Sequence, residues 1–226
     1  MHNKYSGEYA PPTLTVDVVV FQLIDNQLAT LVVKRTQPPF QSAWALPGGY
    51  DAAGETTHQA MRRILKDKAG LDMKAVGLVD QLYTFDTVAR DPRGHAVSVA
   101  YLCLGYDLTC AATSEQPTFR PVANLPKLAF DHRAIIDYAK KRLASKITYT
   151  NIIAALLPDE FTLTELQRTY EAILERPLDK RNFRKKFLSL NLIHATGDSR
   201  QGGAHRPAQL YAFNSRKLEV LETQFQ

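Results

Sequence analysis

The chain has 226 residues, 45% of them hydrophobic and 23% charged, with a formal net charge of +5. That length allows one large domain or two small ones, and the composition is that of a globular chain able to bury a core. No run approaches the roughly 18 apolar residues that a membrane helix needs, so no membrane partner is expected. Residues 1–12 lack the apolar middle of a signal peptide, which makes cytoplasmic residence the expectation. Cys103 and Cys110 supply neither a disulfide framework nor a metal-ligand set.

In chain order, residues 13–21 alternate as a strand. Leu14, Val16, Val18 and Val20 fall on one face, and Thr15, Asp17, Val19 and Phe21 on a more mixed one. Asp25-Asn26 predicts a hairpin turn, with the chain returning as a strand over 28–34. Residues 55–69 have helical character without Pro or Gly, and Gly70 stops them. Two further strands, 76–85 and 96–106, are joined by Asp91-Pro92-Arg93-Gly94. A Pro-containing stretch over 117–126 then leads into a helix over 131–145. This order reads as α+β, a mixed sheet carrying one central helix.

Beyond residue 145 the character changes. Segments 150–157, 163–174 and 180–190 read as three short helices, ended by Pro158, Pro177 and Asn191. A hairpin of 192–195 and 208–213 closes the chain around a loop containing Gly197, Gly202 and Gly203. Three helices and a hairpin make the winged helix-turn-helix plan. The expected organisation is a tail over 1–12, one domain over 13–145 and a second over 146–226.

Charge divides the same way. Residues 176–206 hold eight basic side chains against two acids, which leaves the rest of the chain with a net of −1. A basic patch on a near-neutral body points to a polyanion at one end.

The segment Trp44-Ala-Leu-Pro-Gly-Gly-Tyr-Asp-Ala-Ala-Gly-Glu55 carries the chemistry of the first half. Gly48 and Gly49 let backbone approach a ligand closely, and a helix start behind them suits an anion. Gly49, Glu55, Arg63, Leu65, Gly70 and Leu71 fall on the pattern G-x5-E-x7-R-E-U-x-E-E-x-G-U. The chain therefore resembles the Nudix hydrolase superfamily over residues 13–145. The resemblance implies an α/β/α sandwich that recognises a nucleoside diphosphate joined to another group.

The pattern is broken where the family holds metal. Three helix carboxylates belong at positions 64, 67 and 68, spaced to share one helical face. This chain has Ile64, Asp67 and Lys68. Mg²⁺ needs hard oxygen ligands, so neither a metal site nor a catalytic residue is expected. Lys68 offers its ammonium to a diphosphate in the cation's stead, or else is a solvated helix residue. Glu55 and Arg63 match the pattern and serve either the ligand or the turn that supports the helix. Arg35, Tyr83 and Phe85 are candidates to complete the lining, as a phosphate clamp and two stacking aromatics, or else belong to the core or the sheet surface. His132, which begins a helix in Phe130-Asp131-His132, is read as structural.

In the second half, Phe183, Phe187 and Leu190 form the apolar side of a helix over 180–190. Arg181 and Lys185 point away, with Asn182 and Arg184 beside them, while Lys180 flanks the stripe. Arg can be bidentate to guanine, Asn to adenine, and Lys can touch phosphate, which is what a major-groove helix requires. Arg200 and Arg206 belong to a basic loop that would form the wing. Leu-Asp-Lys-Arg-Asn-Phe-Arg-Lys-Lys-Phe (178–187) and His-Arg-Pro-Ala-Gln-Leu-Tyr (205–211), behind a Nudix-like domain, are similar to the Nudix-related transcriptional regulators of NAD metabolism. That resemblance implies a homodimeric repressor on a palindromic operator, with ADP-ribose or a related nucleotide as effector and no required cofactor. The alternatives are an active Nudix pyrophosphatase and a sequence-tolerant nucleic-acid binder that senses nothing.

Overall fold

A computed structural model describes residues 11–201 and 207–221. Strand β1 (Thr13–Ile24) turns through Asp25 and Asn26 into β2 (Gln27–Lys34). Both turn residues have positive φ, 49° and 59°, as a tight two-residue hairpin demands and as Asp and Asn tolerate. Short β3 (Trp44–Ala45) and β4 (Gly48–Tyr50) precede helix α1 (Thr57–Ala69). After it come β5 (Leu78–Phe85), β6 (Ala96–Leu104), β7 (Thr118–Pro121) and helix α2 (His132–Lys146). The sheet runs β3-β2-β1-β6-β5, with β4 on β1 and β7 on β2. β1 and β6 are parallel; the other pairings are antiparallel.

Helices cover both faces of this sheet. Val16, Val18 and Val20 join α1 through Met61, Ile64 and Leu65. Val19 and Phe21 join α2 through Ile135, Ile136, Ala139 and Leu143. Residues 15–22 of β1 are therefore all buried, which is why its second face ends apolar. The result is an α/β/α sandwich.

α1 begins two residues later than its periodicity predicts. Thr56 is the N-cap and makes a capping box with Gln59, so Glu55 lies outside the helix, in the loop before it. Gly70 ends it at φ 56°, where a Cβ would stand 2.7 Å from that of Ala111.

The second domain also departs from its sequence reading. Segment 150–157 is not an α-helix but a 3₁₀ turn, Ile152–Leu156, closed off by Pro158. Helices α3 (Leu163–Leu174) and α4 (Lys180–Ser189) pack on a three-stranded sheet of β8 (Phe161–Thr162), β10 (Ala208–Phe213) and β9 (Ile193–Arg200), in the order β8-β10-β9. β9 continues five residues past the predicted 195. The chain leaving β10 returns over the 3₁₀ turn. Asn151 donates to the carbonyls of Ser215 and Lys217 and accepts from Glu219 N, and Arg216 donates to the carbonyls of Ala154, Leu157 and Pro158. One apolar core continues from α2 through Leu163, Leu166, Tyr170 and Ile173 to Phe183 and Phe187. No helix among the described residues is long and apolar enough to cross a membrane.

Candidate functional site

A cleft of about 450 Å³ opens beside the Gly48-Gly49 loop, lined from β1, β2, β4, α1, the β5–β6 loop and the start of α2. Its floor is ionic. Asp17, 5% exposed in a strand of valines, accepts from Ser98 Oγ at 2.6 Å and from Arg90 at 3.1 Å. Arg90 also donates two bonds to Asp131, at 2.9 and 2.8 Å. Burial opposes the Arg90 charge, but its bonds to Asp131 and the field of Asp17 more than offset that, and its pKa is raised. His132 is buried and its pKa is lowered, chiefly by that burial, so it is held neutral. Its Nδ1 accepts from Leu46 N at 2.8 Å, which leaves the proton on Nε2, 3.4 Å from Asp17. His132 is structural, as its sequence context indicates, and it also lines the cleft.

The mouth is cationic and aromatic. Arg93, gripped by Asp91, stands 5.4 Å from the Tyr50 ring and 5.7 Å from the Phe130 ring. Arg35 lies 4.8 Å over Phe130 and is tied to the carbonyls of Pro39 and Gln37. Its pKa is lowered, first by burial and then by Arg93. Guanidinium groups and rings on one rim suit an anionic ligand with a flat ring system.

Of the residues expected here, the cleft gathers Arg35, Gly48, Gly49 and Lys68. Gly48 has a reason unseen in its spacing: a Cβ there would lie 2.1 Å from Asp17 Oδ1. Glu55 is not in the lining. It accepts from Ala52 N and from Arg63, and those bonds, the one from Arg63 foremost, lower its pKa. Arg63 does line the cleft, so Glu55 acts by holding it and the loop. Tyr83 and Phe85 are also elsewhere. They pack against Tyr138 of α2 at 5.0 and 5.7 Å, because that face of β5 looks toward α2. Asp17, Tyr50, Arg90, Asp91, Arg93 and Phe130 were missed. A single carboxylate inside an apolar strand was the one readable signal among them.

The residues present do not fit a divalent cation held on α1. Ile64 is 1% exposed and packs beneath Gly49, and Lys68 pairs with Glu115 at 3.2 Å. Among the described residues no three His, Cys, Asp or Glu side chains converge as a metal site.

In the second domain the helix-turn-helix corner is fixed by Glu171, which accepts from Leu178 N and from Gln167. Asp179 caps α4 by accepting from Asn182 N at 2.8 Å. Phe183 and Phe187 anchor α4 on Tyr170 and leave Lys180, Arg181, Asn182 and Lys185 exposed. Arg184 is half-buried and donates to Thr164. Arg200 turns back onto α3, pairing with Glu165 at 2.6 Å and donating to the Glu160 carbonyl, rather than standing clear in a wing. Arg206 lies outside the described residues. Leu188, on the polar side of α4, is 42% exposed.

These two halves define a Nudix-fold ligand-binding domain joined to a winged helix. Residues 13–135 match the NUDIX domain family and residues 153–213 the NrtR DNA-binding winged helix domain. The chain is 36% identical over 215 residues to the ADPR responsive transcriptional repressor NtrR of Acinetobacter baylyi, covering 92% of this chain and 84% of that one. It also superimposes on Shewanella oneidensis NrtR complexed with a 27mer DNA, at a TM-score of 0.81 and 32% identity, over 94% of this chain and 99% of that one. The NUDIX domain of that protein, solved with ADP ribose, matches 62% of this chain and 94% of its own length, at a TM-score of 0.55 and 33% identity. The chain belongs to the NrtR family, in which a Nudix domain precedes a DNA-binding winged helix.

Proposed function

We propose that the chain is a transcriptional repressor of NAD-metabolism genes that ADP-ribose releases from DNA. The observation that carries this reading is the pairing, in one continuous core, of an Arg-rich nucleotide-sized cleft with a basic winged helix. Relatives support it: Shewanella oneidensis NrtR was solved with DNA, its NUDIX domain with ADP ribose, and the Acinetobacter baylyi relative is an ADPR responsive repressor. In this reading α4 enters a major groove with Arg181 and Asn182 toward bases and Lys180 and Lys185 toward phosphates. Two copies related by a twofold axis address a palindromic operator. The protein acts in the cytoplasm.

The cleft binds without cutting and needs no cofactor. An isoleucine supplies no oxygen where the box requires one, and the Lys68 ammonium repels a cation. Lys68 takes part of the cation's place, presenting its charge to the diphosphate, while Glu115 holds it in position. Lys68→Ala is expected to weaken ADP-ribose binding about 5–20-fold, the loss of roughly 1–2 kcal/mol in one charge-assisted bond, with the fold intact by circular dichroism. Unchanged affinity in a calorimetric titration would remove the role. Turnover of ADP-ribose by the purified protein with Mg²⁺, at ordinary enzyme rates, would return the reading to a pyrophosphatase.

A further inference from the structure

Asp131 stands at the N-cap of α2, where Asp ordinarily accepts from the first free amides of its helix. It makes no side-chain cap bond. Its two oxygens instead take the Nε and Nη2 donors of Arg90 at 2.9 and 2.8 Å, within hydrogen-bond reach of the cleft floor. Among the described residues the third arm of that guanidinium, Nη1, has only a long 3.4 Å bond to Thr15, and Arg90 lines the cleft. An anion arriving there finds a donor to spare on Arg90 and a competing carboxylate behind it.

The far end of α2 belongs to the winged helix. The Ile147 carbonyl that follows α2 accepts from Tyr170 OH at 3.3 Å, Lys140 pairs with Glu175 at 2.5 Å, and Ile135, Ala139 and Leu143 share one core with Leu166 and Ile173. The returning chain of residues 215–221 clamps the intervening 3₁₀ turn. A shift at Asp131 therefore moves α2 and the DNA-binding body together rather than being lost in a linker.

We infer that Asp131 is the positioning residue that couples the cleft to DNA, alternating between Arg90 in the DNA-binding state and the amides of its own helix when an anionic ligand takes Arg90. The two arrangements are discrete because one carboxylate cannot serve both sets of donors, and a ligand that favours one shifts their populations. This inference rests on the proposed response to ADP-ribose and adds the switch within it. Asp131 is outside the cleft lining, so its replacement removes no residue of that lining.

The test is Asp131→Asn in the full chain, which can still accept from the free amides of α2 but loses the ion pair with Arg90. The readouts are anisotropy with a duplex selected by the wild-type protein from a randomised pool, and calorimetric titration with ADP-ribose. Without ligand, the variant is expected to bind DNA as weakly as the liganded wild type, about 5–150-fold below the free wild type. Added ADP-ribose then changes its DNA affinity less than twofold, and by reciprocity the duplex changes its ADP-ribose affinity less than twofold, whereas in the wild type each ligand weakens the other by the full factor. A variant that responds to ADP-ribose as the wild type does overturns the switch. A wild type that does not respond overturns the function on which it rests. Hydrogen exchange on the wild type gives a reading that needs no variant: ADP-ribose alters protection in the first turn of α2, and no change there also overturns the switch.

Discussion

Replacing Phe187 with Ala is expected to destabilise the protein by about 3–5 kcal/mol, the cost of deleting a large buried aromatic and leaving a cavity. Phe187 is fully buried and meets Phe183 at 5.7 Å, Tyr170 at 5.8 Å and Phe213 at 6.4 Å. It thereby ties α4 to α3 and to the sheet at once. Because the same core runs on through α2 to the Nudix sheet, the loss is felt by the whole chain. The melting temperature is expected to fall roughly 6–20 °C as a single transition in calorimetry. Two separated transitions, with the Nudix domain unmoved, would show that the winged helix is held by its own contacts alone.

Arg90→Met is expected to cost a similar 3–5 kcal/mol for a different reason. Methionine keeps an unbranched side chain there, but Asp17 is left a buried carboxylate without its cation, and one-sided removal of a buried pair is the costly way to break it. Arg90 and Asp17 side chains are 4% and 7% exposed, so water cannot make up the loss. Asp17→Asn in the same background removes the stranded charge and is expected to recover part of the stability. A double-mutant cycle measured in urea checks this, because groups in one network are expected to be strongly non-additive. Additive losses would mean that Ser98 and His132 alone hold Asp17.

Much of this fold is local enough to read along the chain. Asp25-Asn26 and Gly70 announce their own backbone angles, and the spacing of Phe183 and Phe187 declares the buried side of α4. The two-residue strands β3 and β8 were not legible, since they exist only as partners of β2 and β10. Segment 150–157 carries helical letters, yet its geometry is set by Asn151 and Arg216 from opposite ends of the domain.

The site was readable to the extent that it is a contiguous motif. Gly48, Gly49 and Lys68 follow from one stretch of sequence. The Arg90 network could not, because its bonds span 41 and 73 residues and depend on how β1 meets the β5–β6 loop. Tyr83 and Phe85 show the complementary error. Alternation places them together on a strand but does not say which neighbour that strand's face will meet. The charge of the wing divides likewise: α4 keeps its outward cations, whereas Arg200 is claimed by Glu165, a residue of another element.

In the proposed function one chain binds DNA and lets go of it on sensing ADP-ribose. Fluorescence anisotropy of a labelled duplex, selected from a randomised pool by the purified protein, tests it directly when titrated with and without saturating ADP-ribose. The selected duplex is expected to bind tightly over a scrambled one, with a loss of about 5–150-fold when ADP-ribose is present. Equal binding of the two duplexes, or an affinity that ADP-ribose leaves unchanged, would contradict it.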